Sequence, residues 1–214
     1  MRPRAVVFDF NGTLSDDEPI LCEILQELFA EQGRPLSAQE YFDELAGLSD
    51  PEIVRAWLGD DHPAREEVLE ERISRYRERV ADGSTIPEEA RQAVRYAGER
   101  VPVAVVSGAM RAEIEPVLAA AGLLDLFGVI VAADDVTHGK PHPESYEVAL
   151  ARLDGDLGAA DVLVLEDTEA GIAAAKAAGM RCVAVLGTLA PERLAAADEV
   201  VESLGLDVMR RLLG

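Results

Sequence analysis

Apolar residues fall into two rhythms along the chain. Short unbroken runs, Ala5-Val6-Val7-Phe8 and residues 101–106, 128–132, 161–166 and 181–186, show no polar alternation. Such runs predict strands buried on both faces of a parallel sheet. A weaker run, Glu199-Val200-Val201, predicts an edge strand. Between the later runs, residues 87–98, 111–121, 143–153, 170–178 and 191–197 have helical spacing. Strand–helix alternation of this kind implies βαβ units with right-handed crossovers.

From residue 15 to about Gly83 the rhythm is helical throughout. Ser15-Asp16-Asp17-Glu18 has the form of a capping box opening a helix striped by Ile20, Leu21, Ile24, Leu25, Leu28 and Phe29 and stopped at Gly33. Ser37 with Glu40 starts a second helix, through Tyr41, Phe42 and Leu45 to Gly47. Ser49-Asp50-Pro51-Glu52 starts a third, carrying Ile53, Val54, Trp57 and Leu58. Residues 62–81 predict a long helix of alternating Arg and Glu, read as a solvated, ion-paired face. The expected organisation is an α/β core of residues 1–14 and 85–214, with a helical module of residues 15–84 inserted after the first strand.

Composition narrows the partners. With 41 acidic against 20 basic residues and a net charge of −21, the chain lacks the basic surface that nucleic acids or anionic membranes require. No apolar run reaches the ~18 residues of a membrane span, and no leader pattern opens the sequence. Cys22 and Cys182 stand alone in apolar surroundings, as buried thiols do. A cytoplasmic protein is expected, acting as monomer or dimer. An anionic substrate would need a cation or local positive charge to enter.

Candidate chemistry lies at the strand ends, where open α/β sheets bind ligands. Asp9 follows the first run, Ser107-Gly108 the second, and Glu166-Asp167 ends the fourth; Lys140 lies in the loop His138-Gly139-Lys140-Pro141-His142-Pro143. Each has an ordinary reading as a cap or a solvated loop residue. Together, Asp9 and Asp167 make a hard-oxygen site suited to Mg²⁺. Ser107 and Lys140 offer a hydroxyl and a point charge to a phosphate. A carboxylate at Asp9 can act as a nucleophile.

These segments, Phe8-Asp9-Phe10-Asn11-Gly12-Thr13-Leu14, Val105-Val106-Ser107-Gly108, Gly139-Lys140-Pro141 and Leu165-Glu166-Asp167-Thr168, resemble the four ordered motifs of the haloacid dehalogenase (HAD) superfamily. The helical insert is similar to the cap of its phosphoglycolate phosphatase and beta-phosphoglucomutase branch. The resemblance implies a Rossmann-like three-layer α/β core with a small all-helical cap. It also implies a Mg²⁺-dependent phosphatase acting on a small phosphorylated metabolite through an aspartyl-phosphate. Asp9 would be nucleophile and metal ligand, Asn11 a ligand through its backbone carbonyl, and Glu166 and Asp167 further ligands. Gly12, Thr13, Ser107, Gly108 and Lys140 would surround the phosphoryl group, and Glu18 would face the substrate. One position departs. The family's acid/base Asp, two residues after the nucleophile, is Asn11 here. A carboxamide neither gives nor takes the proton, a loss worth about 10²–10⁴-fold. A phosphosugar mutase and a slow phospho-ligand binder are the alternatives.

Overall fold

The computed structural model describes residues 2–153 and 155–214; Met1 and Asp154 lie outside the described residues. Six parallel strands form one sheet in the order β3-β2-β1-β4-β5-β6. They are β1 (Ala5–Phe8), β2 (Val103–Val106), β3 (Val129–Val131), β4 (Val162–Glu166), β5 (Arg181–Val185) and β6 (Glu199–Val201). Every residue of β1, β2 and β4 is buried, as their unbroken apolar runs require. The sheet order reverses at β1, which pairs Phe8 with Val105 on one side and with Leu165 on the other. A crevice at the strands' carboxyl ends follows from that reversal.

Four of the helices connect the strands: α5 (Glu88–Gly98) before β2, α6 (Arg111–Ala120) before β3, α7 (Glu144–Arg152) before β4 and α8 (Glu169–Ala177) before β5. With right-handed crossovers, α5 and α6 cover one face of the sheet, and α7 and α8 the other. The sequence pattern did not single out α9 (Leu206–Leu213), whose Met209, Leu212 and Leu213 are buried and which packs on α5. Residues 191–197 give only a 3₁₀ turn, Pro191–Leu194. So short a segment, feeding β6 directly, leaves no room to recover the cost of nucleating an α-helix.

Between β1 and α5 lie α1 (Glu18–Glu31), α2 (Ala38–Glu40) running into a π-turn at Tyr41–Leu45, α3 (Asp50–Leu58) and α4 (Arg65–Arg79). Capping boxes form at Ser37 with Glu40 and at Ser49 with Glu52. The one expected at Ser15 does not form. Ser15 Oγ instead donates to Thr85 Oγ1 at 2.8 Å, and Glu18 accepts from the Tyr41 hydroxyl at 2.8 Å. Helix α4 also differs from a wholly solvated face. Its outer side pairs Arg75 and Arg79 with Glu23, Glu27 and Glu31 of α1, but Val68, Arg72 and Tyr76 are buried. The Arg/Glu alternation masks this inner stripe, because one of its members is an arginine.

Candidate active site

Strand β1 ends one residue before Asp9, whose amide donates to Leu165 O of β4 at 2.9 Å. That bond continues the sheet ladder and fixes the carboxylate over the switch point. Lys140 Nζ, reaching in from the loop before α7, lies 2.5 Å from Asp9 Oδ1 and 2.5 Å from Glu166 Oε1. Ser107 follows β2; its Oγ accepts from the Ala109 amide at 3.0 Å, in the turn ahead of α6. Asp9, Asn11, Ser107, Gly108, Lys140 and Asp167 all line one cavity of about 800 Å³, whose opposite wall includes Glu18 and residues of α3.

Three buried carboxylates, those of Asp9, Glu166 and Asp167, converge closely enough to share a cation, each offering an oxygen within 4.8 Å of the others. Their environments separate their roles. Glu166 Oε1 accepts from Lys140 and from the Tyr146 hydroxyl, while Oε2 accepts from the amides of Asp167 and Thr168 and from Thr168 Oγ1. Burial pushes the Glu166 carboxyl up, but Lys140 and these donors prevail and hold it below the ordinary glutamate value. Asp9 goes the other way, pushed up to about 7 by burial against the pull of Lys140, with Glu166 adding to the rise. Asp167 is pushed well above the ordinary range by burial and by the charges of Asp9 and Glu166. Two carboxylates that resist ionising side by side form a site that a divalent cation would relieve.

Glycines set the spacing. A Cβ at Gly171 would collide with the Glu166 carboxylate, and one at Gly12 with Asp167 Oδ2 and Thr188 Oγ1. Gly12 also has φ +76°, which disfavours any other residue. Gly12 and Thr13 therefore stand behind the site rather than in the cavity wall. Thr13 Oγ1 donates to Asp167 Oδ1 at 3.0 Å, and Thr188 donates to Oδ2, so both oxygens are aimed.

Asn11 does line the cavity. Its Nδ2 donates to Asp17 Oδ2 at 2.9 Å and to the Tyr76 hydroxyl at 3.3 Å; its Oδ1 lies 3.4 Å from Ser107 Oγ. A carboxylate and a phenolic oxygen are both acceptors here, so the nitrogen must face them and the carbonyl oxygen must face the site. Sequence reading missed Asp17, Tyr76, Tyr146 and Thr188. No local signal marked them: Asp17 read as part of a capping box, Tyr76 as part of a solvated helix. Only the fold brings α4 against the loop after β1.

Glu18 is pushed up to about 7 by burial, with Asp17 and Asp50 adding to the rise and the Tyr41 hydroxyl opposing it. The folded chain keeps this proton to about pH 7, whereas the unfolded chain releases it near 4.5. Stability therefore falls as pH rises between those values. Glu18→Gln removes the fall, so thermal scans should show the variant gaining on the parent protein more at pH 8 than at pH 5.

The sequence matches the family described as "Haloacid dehalogenase-like hydrolase" over residues 6–185. The chain is a haloacid dehalogenase-like hydrolase. Among its relatives, this hydrolase is 32% identical over 217 residues to a validoxylamine A 7'-phosphate phosphatase of Streptomyces hygroscopicus subsp. limoneus, covering 94% of each. It is 31% identical over 186 residues to a phosphoglycolate phosphatase of Yersinia pseudotuberculosis, covering 84% of this chain and 79% of that one. CbbY from Rhodobacter sphaeroides, solved as an aspartate-to-asparagine mutant in complex with xylulose-(1,5)bisphosphate, superimposes with a TM-score of 0.83 at 28% identity, covering 95% of each chain. No helix among the described residues is long and apolar enough to cross a membrane.

Proposed function

We propose that this hydrolase is a cytoplasmic, Mg²⁺-dependent phosphatase that takes a small phosphorylated metabolite through an aspartyl-phosphate on Asp9. One observation carries the reading: the Asp9 carboxylate stands beside Lys140 and near Asp167 at the floor of a cavity into which Ser107 also opens. A phosphoryl group seated there meets the Ser107 hydroxyl and the Lys140 ammonium. An oxygen of Asp9 attacks phosphorus, the ester oxygen leaves with the bond electrons and takes a proton from water, and a water later frees phosphate from Asp9, its proton passing to solvent.

Asp9 and Asp167, with the Asn11 backbone carbonyl, would hold Mg²⁺, and Glu166 would act through water, since its own oxygens already hold Lys140 and the loop after β4. When bound, the cation offsets the charge of the phosphoryl oxygens. Lys140, shared between Asp9 and Glu166, stays protonated at all working pH because the two carboxylates push its pKa up against burial. Residues 15–84 would act as a cap over the substrate. The phosphatase relatives and the raised Asp9 and Asp167 carboxyls support this reading. Asn11 favours a second one, a phospho-ligand binder with slow turnover.

A phosphate-release screen over small esters separates the two. Release that needs Mg²⁺ and stops with chelator supports the phosphatase; no release from any ester, with phosphate mimics still bound, supports the binder. Mg²⁺ should also raise thermal stability, by about 2.7 kcal/mol at 100 times its dissociation constant. A melting temperature unmoved by Mg²⁺ would contradict the assigned cation site.

A further inference from the structure

Resting on the phosphatase reading, we infer that the alcohol released from the phosphate ester carries no second anion: it is a polyhydroxylated group, neutral or amine-bearing. The cavity's two ends differ in charge. The phosphoryl end has Lys140 and Ser107. The facing wall presents the carboxyl groups of Glu18, Asp50 and Glu52, the first two pushed up by burial, and its one cation is Arg72.

Arg72 is not free to meet an anion. Its guanidinium lies 3.1 Å from Asp50 through Nη2, is paired with Glu113 through Nη1, and is only 3% exposed. Two carboxyl groups share the one guanidinium, and burial pushes both of them up against its pull, so it has no charge to spare for a further anion. On the core side, His138 is paired with Glu144 at 2.8 Å, and His142 accepts the Glu144 amide at Nδ1 at 3.3 Å. A second phosphate or a carboxylate placed against α3 would therefore find no unpaired cation among the described lining residues, beside carboxyl groups that already resist ionising, and would lose affinity.

The same wall suits hydroxyl or ammonium donors. Glu18 Oε2 is taken by Tyr41, and Glu52 Oε2 by the Ser49 amide and hydroxyl at 3.0 and 2.6 Å. The second oxygen of each carboxylate remains as an acceptor. Leu48, 42% exposed, adds an apolar surface for the carbon skeleton.

The test compares matched esters in the presence of Mg²⁺: sorbitol 6-phosphate against 6-phosphogluconate, and glucose 6-phosphate against glucosamine 6-phosphate, with p-nitrophenyl phosphate as a general reporter. Expected is a kcat/KM for sorbitol 6-phosphate at least about tenfold above that for 6-phosphogluconate, because burying an unpaired charge is costly. Glucosamine 6-phosphate should match or exceed glucose 6-phosphate. Asp50→Asn, which leaves Arg72 with Glu113 alone, should narrow the sorbitol/gluconate ratio. Equal or better turnover of 6-phosphogluconate, with p-nitrophenyl phosphate hydrolysed normally, overturns the inference and leaves the phosphatase reading standing. If no ester is hydrolysed, the phosphatase reading fails instead. The charge preference is then read from calorimetric dissociation constants for the same compounds, where tighter binding of 6-phosphogluconate overturns it.

Discussion

Asp9→Asn is expected to lower phosphate release by about 10²–10⁴-fold. Removing the nucleophile from a complete covalent machinery costs on the order of 10⁶-fold. This chain already runs without the group at position 11 that is worth about 10²–10⁴-fold. What remains visible is the difference between those effects. The substitution keeps the side chain's size, so Lys140 retains Glu166 at 2.5 Å and the sheet end stays in place. Circular dichroism should be unchanged, and the loss should fall on kcat. Activity within tenfold of the parent protein would sink the covalent mechanism.

Asn11→Asp is expected to raise kcat by about 10²-fold or more, with little change in KM, because proton transfer stabilises only the transition state. The introduced carboxyl would sit next to Asp17, which now accepts from Asn11 Nδ2 at 2.9 Å. Asp17 is itself pushed up by burial despite its bonds from Tyr76 and Asn11. Two adjacent buried carboxyls share a proton, and the second to ionise does so at raised pH. The new group's working range therefore moves toward neutrality, where an acid/base is most effective. Combining the change with Asp17→Asn removes the like charge and should shift the acidic limb of the pH–rate profile downward. Steady-state kinetics with one ester across pH reads both effects. An unchanged kcat would mean that the carboxamide does not limit turnover.

The core was legible in the sequence because doubly covered strands leave unbroken apolar runs, and β1, β2 and β4 are buried along their whole length. Their ends delivered Asp9, Ser107 and Glu166-Asp167 to one edge for the same reason. The loop carrying Lys140 fell into place through its order in the chain. What stayed hidden depends on contacts between distant segments. Tyr76 reaches Asp17 across 59 positions, and Thr188 reaches Asp167 across 21. Neither spacing has a local signature. The misread capping box shows the same limit: Ser15 and Glu18 have the right separation, but Thr85 and Tyr41 are better partners once the chain has folded. Likewise, an arginine in a charged helix looks solvated until Asp50 and Glu113 are found around it.

The hydrogen bond from the Gly12 amide to Ser15 O, at 2.8 Å, bears on how this protein ages. Asn-Gly pairs lose ammonia when the glycine amide nitrogen attacks the neighbouring carboxamide carbon. Here that nitrogen is already committed, and the carboxamide is held by Asp17 and Tyr76. Spontaneous conversion of Asn11 to a carboxylate is therefore slow in the folded chain and fast only after unfolding. Stored native enzyme should keep both its mass and its rate, whereas cycles of unfolding and refolding should gradually produce molecules with the acid/base that the gene does not encode.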